Sequence, residues 1–155
     1  MSNTVNRKQA REIALHLIFE LGFGAFEAEN VMAERLDEEI MHSISGDISL
    51  YAGKLDQAQT QYIVSTVKGV AAHREELDAQ IEANARGWTL ARLSRITIAV
   101  LRLAIYEMHY VQDVPVGVAI NEGVELAKTY DSDEAASFIN GVLGAIARTM
   151  ETSAT

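Results

Sequence analysis

The residues best equipped for acid, base or metal chemistry are four histidines, His16, His42, His73 and His109, and one carboxylate pair, Glu122 and Glu125. No histidine has a second histidine three or four residues away, and the metalloprotease pattern His-Glu-x-x-His does not occur. The helical spacing that would turn two imidazoles onto one metal is therefore missing. Glu122 and Glu125 lie three apart and would share a helical face, as an acid and base pair must, but in a chain with 22 acidic residues such pairs arise without a catalytic cause. The absence of cysteine excludes disulfide staples, thiol nucleophiles and Cys-ligated zinc or iron–sulfur sites together. Gly22-Phe-Gly24 does not continue into a dinucleotide fingerprint, and no phosphate-cradling Gly-x-x-x-x-Gly-Lys-Ser/Thr is present. The sequence thus predicts no catalytic residue, no metal and no cofactor: a binding protein, not an enzyme.

Charge gives the more specific signal. The net charge of −9 would by itself repel a phosphate backbone. Its distribution is uneven, however. Residues 1–11 carry Arg7, Lys8 and Arg11 with no acid, and residues 85–102 carry Arg86, Arg92, Arg95 and Arg102 with no acid, while the remaining stretches are strongly acidic. Screening limits the reach of exposed charge to roughly 8 Å at physiological salt, so a local basic island can govern a contact that the net charge would forbid. Arg7 and Arg11 are i, i+4 neighbours and Lys8 is i, i+3 from Arg11, so on a helix the three can form one patch. Cations near a helix N-terminus oppose the macrodipole, at a cost of a few tenths of a kcal/mol each, which points to an anionic partner. Arg86, Arg92 and Arg95, spread around Trp88, are expected as solvated loop positions of less importance.

These residues must be positioned by a scaffold, and the sequence predicts an all-α one. At 155 residues the chain fits a single domain, 1–155, able to bury roughly two-thirds of the surface its unfolded form exposes, with 1–3 and 151–155 as flexible ends. Helical periodicity dominates, and no stretch sustains period-two alternation. A bundle of about six to seven helices follows. The first runs from about Thr4 to Leu21, with Ala10, Ala14, Leu17 and Leu21 as its inner stripe. An acidic helix over 26–42 and a loop over 43–54 come next. Asp56 and Gln59 resemble a capping box opening a long helix to about Asn84. A turn at Gly87 and Trp88 leads into a helix over 94–111 that is apolar nearly all round, hence the centre of the bundle. Pro115, the only proline, suits the first residue of the next helix, which reaches Tyr130. Ser132 caps the last, which ends near Met150. The start of the chain lacks the apolar stretch of a secretory signal, and the longest apolar run, Ile96 to Tyr106, contains Arg102 and is too short to span a bilayer. No membrane association is expected, and the cysteine-free composition suits the cytoplasm.

Four segments, in this order, carry a resemblance: Arg7-Lys-Gln-Ala-Arg-Glu-Ile-Ala-Leu15, Val100-Leu-Arg-Leu-Ala-Ile-Tyr-Glu-Met108, Pro115-Val-Gly-Val-Ala-Ile-Asn-Glu-Gly-Val-Glu-Leu-Ala-Lys128 and Phe138-Ile-Asn-Gly-Val-Leu143. Together they resemble the NusB family of transcription antitermination factors. The resemblance implies a helical domain that binds a boxA-type RNA together with NusE, a small-subunit ribosomal protein. Other Nus factors and elongating RNA polymerase are engaged through that complex, which promotes readthrough in ribosomal RNA transcription. By the same resemblance Arg7, Lys8 and Arg11 contact RNA, with the start of the last helix nearby; there Phe138 offers a ring for a splayed base and Asn140 an amide for hydrogen bonding. Phe19 would anchor the protein partner. Thr97 stands where some relatives have an acid that contacts NusE. Gly123 stands where the family usually has alanine, while Arg102, Glu107, Asn121 and Glu122 are expected to be structural. Two other readings share these features: a helical interaction module or homodimer whose RNA role has been lost, favoured by the −9 charge, and a detached relative of the NusB-like domain of ribosomal RNA methyltransferases.

Overall fold

The structure is a computed structural model that describes residues 6–21 and 56–154, and the predicted helix over 26–42 and loop over 43–54 lie outside the described residues. Among the described residues there are six α-helices, one short 3-10 turn and no strand. They are α1 (Arg7–Leu21), α2 (Gln57–Ala72), α3 (Arg74–Asn84), the turn Leu90–Arg92, α4 (Arg95–Tyr110), α5 (Val116–Tyr130) and α6 (Asp133–Ala154). The chain divides into two compact units, Met1–Ala72 and His73–Thr155.

In the first unit α1 packs against α2. Ala10, Ile13, Ala14, Leu17 and Ile18 recur at helical spacing and are buried, as are Tyr62, Ile63, Val67 and Val70 of α2. The helix starts three residues later than the Thr4 expected, at a reciprocal capping box. Asn6 N–H donates to Gln9 Oε1 at 3.0 Å and Gln9 N–H donates to Asn6 Oδ1 at 2.8 Å, satisfying two N–H groups that no helical carbonyl can reach. The expected cap at Asp56 is present, its Oδ1 accepting from the Gln59 N–H at 2.8 Å.

The long helix expected over 56–84 is instead two helices. His73, at φ −104° and ψ 13°, interrupts the ladder, and α3 restarts as Leu77 N–H donates to His73 O at 2.9 Å. Nothing in the local sequence breaks a helix there. The imidazole is held by a tertiary contact, its ring stacking on Tyr110 with centroids 4.3 Å apart, and by a local one, its Nδ1 lying 3.2 Å from Glu76 three residues on.

In the second unit α4 is the centre, with every residue from Thr97 to Ile105 buried, and α5 and α6 pack on it and on each other. Glu107 is also buried. Polar ties fasten α3 to α4, among them a contact of His109 Nε2 with Gln80 Oε1 at 2.8 Å. Arg102 grips Asp78 through Nε to Oδ1 at 2.8 Å and Nη2 to Oδ2 at 2.9 Å. The Tyr110 hydroxyl donates to Glu76 at 2.8 Å, and that bond, with some burial, holds the phenol above its ordinary pKa. Pro115 precedes α5 as its N-cap at ψ 148° and is not the first helical residue, because its carbonyl accepts the first helical bonds while its own torsion stays extended. Ser132 caps α6 as expected, its Oγ accepting from the Ala135 N–H at 3.0 Å. The helix runs on to Ala154, past the expected end at Met150 and through most of the expected flexible tail, since residues 145–154 contain neither glycine nor proline.

Gly123 has a packing reason. A Cβ built there would lie 3.1 Å from Ala104 Cβ and 3.2 Å from Leu143 Cδ1, so glycine lets α5 approach both neighbouring helices closely. Ala104 Cβ is fixed to its backbone and cannot swing aside. Gly123→Ala should therefore lose the roughly 1 kcal/mol of helix propensity it would otherwise gain and destabilise by about 1 kcal/mol net, read by urea unfolding. A variant more stable than the parent would show that the helices part easily.

Candidate nucleic-acid interface

The capping box at Asn6 fixes where the first basic island emerges. Arg7, the first helical residue, turns toward α2: its Nε donates to Gln59 Oε1 at 2.8 Å, and its guanidinium carbon lies 4.2 Å from the centre of the Tyr62 ring. Arg11, one turn on, follows the same face, 5.9 Å from that ring, and is only 4% exposed. Guanidinium groups stack well on aromatic faces because they are planar and weakly hydrated, so Tyr62 draws both. Lys8, about 100° further round the helix, is exposed. The open patch of three cations expected from spacing is thus revised to one exposed lysine and one half-buried arginine, with Arg11 withdrawn against Tyr62. The i, i+4 spacing did put the arginines on one face, but which face meets α2 depends on Gln59 and Tyr62, some fifty residues away.

Phe19 is 41% exposed near the end of α1. Thr97 is different. It is 5% exposed, and its hydroxyl donates to Asp131 Oδ2 at 2.6 Å while accepting from Ser94 Oγ at 2.9 Å. Ser94 Oγ in turn accepts the Thr97 N–H at 3.1 Å, capping α4. Thr97 is therefore built into a cap that ties the start of α4 to the end of α5, and the charged group there is the half-buried Asp131, to which the sequence assigns no role.

At the start of α6 Phe138 is half-buried and Asn140 and Gly141 are exposed. Two residues of helix turn the side chain by about 200°, so Phe138 and Asn140 point away from each other and do not form one base-reading pair. Phe138 meets Trp88, ring centroids 6.3 Å apart and planes at 67°. The sequence predicts a turn at Trp88 and assigns it no role; the signal it carries is a lone tryptophan amid arginines with no acid from 85 to 102. Among the described residues no group of three or more His, Asp or Glu is placed to hold a metal ion, and no helix is long and apolar enough to cross a membrane.

The model of the NusB family matches residues 8–148. The chain belongs to the NusB family. Transcription antitermination protein NusB of Acetivibrio thermocellus is 40% identical over 144 residues, covering 93% of this chain and 90% of the relative. Among solved structures, NusB of T. maritima is 26% identical with a TM-score of 0.72, covering 96% of this chain and 93% of that one. A crystal structure of antitermination factors NusB and NusE in complex with double-stranded RNA is similar at a TM-score of 0.74 and 24% identity, covering 92% and 96%; at that identity the likeness concerns the fold. Membership accounts for the helical architecture and for the four motifs, which fall on α1, α4, α5 and α6 of this NusB-family chain.

Proposed function

We propose that this chain is a transcription antitermination factor that binds a boxA-type RNA jointly with the ribosomal protein NusE, and through that complex joins other Nus factors on elongating RNA polymerase. It works in the cytoplasm, by binding alone, with residues 1–155 as one functional domain. The observation that carries the reading is the family match across residues 8–148, supported by an antitermination protein 40% identical over nearly the whole chain. The partners are those of the resemblance and of the NusB solved with NusE and RNA. Lys8 and Arg7 supply phosphate contacts at the head of α1, Phe138 and Asn140 act at separate points along α6, and Phe19 anchors NusE. Asp131, against the Thr97 hydroxyl, supplies the negative charge that Thr97 lacks.

A few cations on a chain of net charge −9 release too few counterions for tight RNA binding at physiological salt. A basic ribosomal protein on an acidic surface adds its own phosphate contacts and a favourable field. NusE should therefore tighten RNA binding by about tenfold or more, and RNA should tighten NusE binding by the same factor, because linkage is reciprocal. Titration of labelled boxA-type RNA with and without NusE, at several salt concentrations, tests this. No binding in either case would sink the functional reading, and equal affinities with and without NusE would sink the coupling. In the same assay Lys8→Ala and Arg7→Ala should each lower the salt slope by about 0.7, as expected for single-strand phosphate contacts. Arg11→Ala should leave the slope alone and act through stability, given its burial against Tyr62.

A further inference from the structure

Trp88 is the only tryptophan of the chain, and it is 49% exposed. A tight turn puts it there: Gly87 takes φ +79°, which side-chain-bearing residues rarely adopt, and the Trp88 N–H donates to Ala85 O at 2.8 Å. Phe138 meets the indole at a steep angle, 67° between planes, an edge contact that braces the ring without stacking on it. The segment around this ring is basic throughout. Arg86, Arg92 and Arg95 are exposed, and no acid occurs from 85 to 102. Arg102 of that island is withdrawn onto Asp78. Arg86 lies within about 7 Å of Trp88 along the chain and Arg92 within about 14 Å, so both flexible guanidinium groups can reach the surroundings of the ring.

An exposed aromatic face flanked by cations is the combination a single-stranded nucleic acid recognises. Every base has a π-face to stack, and guanidinium groups take the phosphates on either side. A duplex keeps its base faces covered, and an apolar protein anchor has no use for three arginines. We propose that Trp88, braced by Phe138, is a stacking platform for one unpaired base of single-stranded RNA, with Arg86 and Arg92 holding the adjacent phosphates. The proposal rests on the reading of the chain as an RNA binder and gives that reading a second contact region, within the second unit alone. It also departs from the ranking expected from sequence, which set the second basic island below the first.

The test uses the full chain loaded with NusE and the labelled boxA-type RNA. Trp88→Ala should weaken binding about tenfold with its salt slope unchanged, because stacking releases no counterions, while Trp88→Tyr keeps a ring and stays within about twofold of the parent. Arg92→Ala should lower the slope by about 0.7. The chain alone, titrated at low salt, should show Trp88 fluorescence quenched by the single strand and not by the same RNA annealed to its complement. If Trp88→Ala binds like the parent, or if Trp88→Tyr loses as much as alanine and no quenching occurs, the platform is wrong while the RNA reading stands. If the parent complex binds no RNA at all, both fall together.

Discussion

Replacing Asp78 by alanine is expected to destabilise the protein by about 3 kcal/mol, the loss typical of a buried ion pair robbed of one partner. The Arg102 side chain is 8% exposed and that of Asp78 20%, so little water screens the pair or replaces the missing carboxylate. Two parallel N–H to oxygen bonds at 2.8 and 2.9 Å hold the guanidinium in the fork geometry that arginine and carboxylate share. Much of the expected loss is the desolvation of a guanidinium left behind, not the intrinsic strength of the pair. Asp78→Ala combined with Arg102→Met should therefore recover a large part of it, since the apolar side chain fills similar space with no charge to satisfy. Urea unfolding of the two single variants and the double variant provides the cycle. A loss below about 1 kcal/mol for Asp78→Ala would mean that Arg102 finds other partners or reaches solvent, and that the pair is ordinary surface decoration.

Leu143→Ala should cost about 3 to 4 kcal/mol, from lost transfer energy and from a cavity that its surroundings cannot close. Leu143 is fully buried on α6, and its Cδ1 reaches to within 3.2 Å of where a Cβ on Gly123 would be. The neighbours across the gap, Gly123 and Ala104, are the two smallest residues, with no side chain long enough to swing in. A coupling follows. Gly123→Ala, destabilising in the parent, should be less so in the Leu143→Ala background, because the 3.2 Å contact with Leu143 is then gone while the one with Ala104 remains. The cycle is expected to show an interaction of about 1 kcal/mol. Strict additivity would contradict the close three-helix approach at Gly123.

The helices were legible in the sequence wherever the determinant was local. The stripe Ala10, Ala14, Leu17, the caps at Asp56 and Ser132, and the apolar run of α4 each lie within a few residues of the backbone they organise. The reciprocal box of Asn6 and Gln9 is equally local, and it sets the start of α1 later than the Thr4 expected. The break at His73 was not legible, because the ring that His73 stacks on, Tyr110, comes from α4.

For the interface the division is sharper. Sequence by itself determined that the chain is helical, that it belongs among the NusB proteins, and that its cations gather in two islands within an acidic whole, since residue order alone fixes periodicity, motif and charge. Tertiary structure decided which of those charges face outward. Arg7 and Arg11 turn to Tyr62, Arg102 is spent on Asp78, Thr97 is taken up in the cap shared with Ser94 and Asp131, and Trp88 is left exposed at the edge of Phe138. A side chain's availability depends on partners remote in sequence, and packing and desolvation choose those partners only when the helices meet.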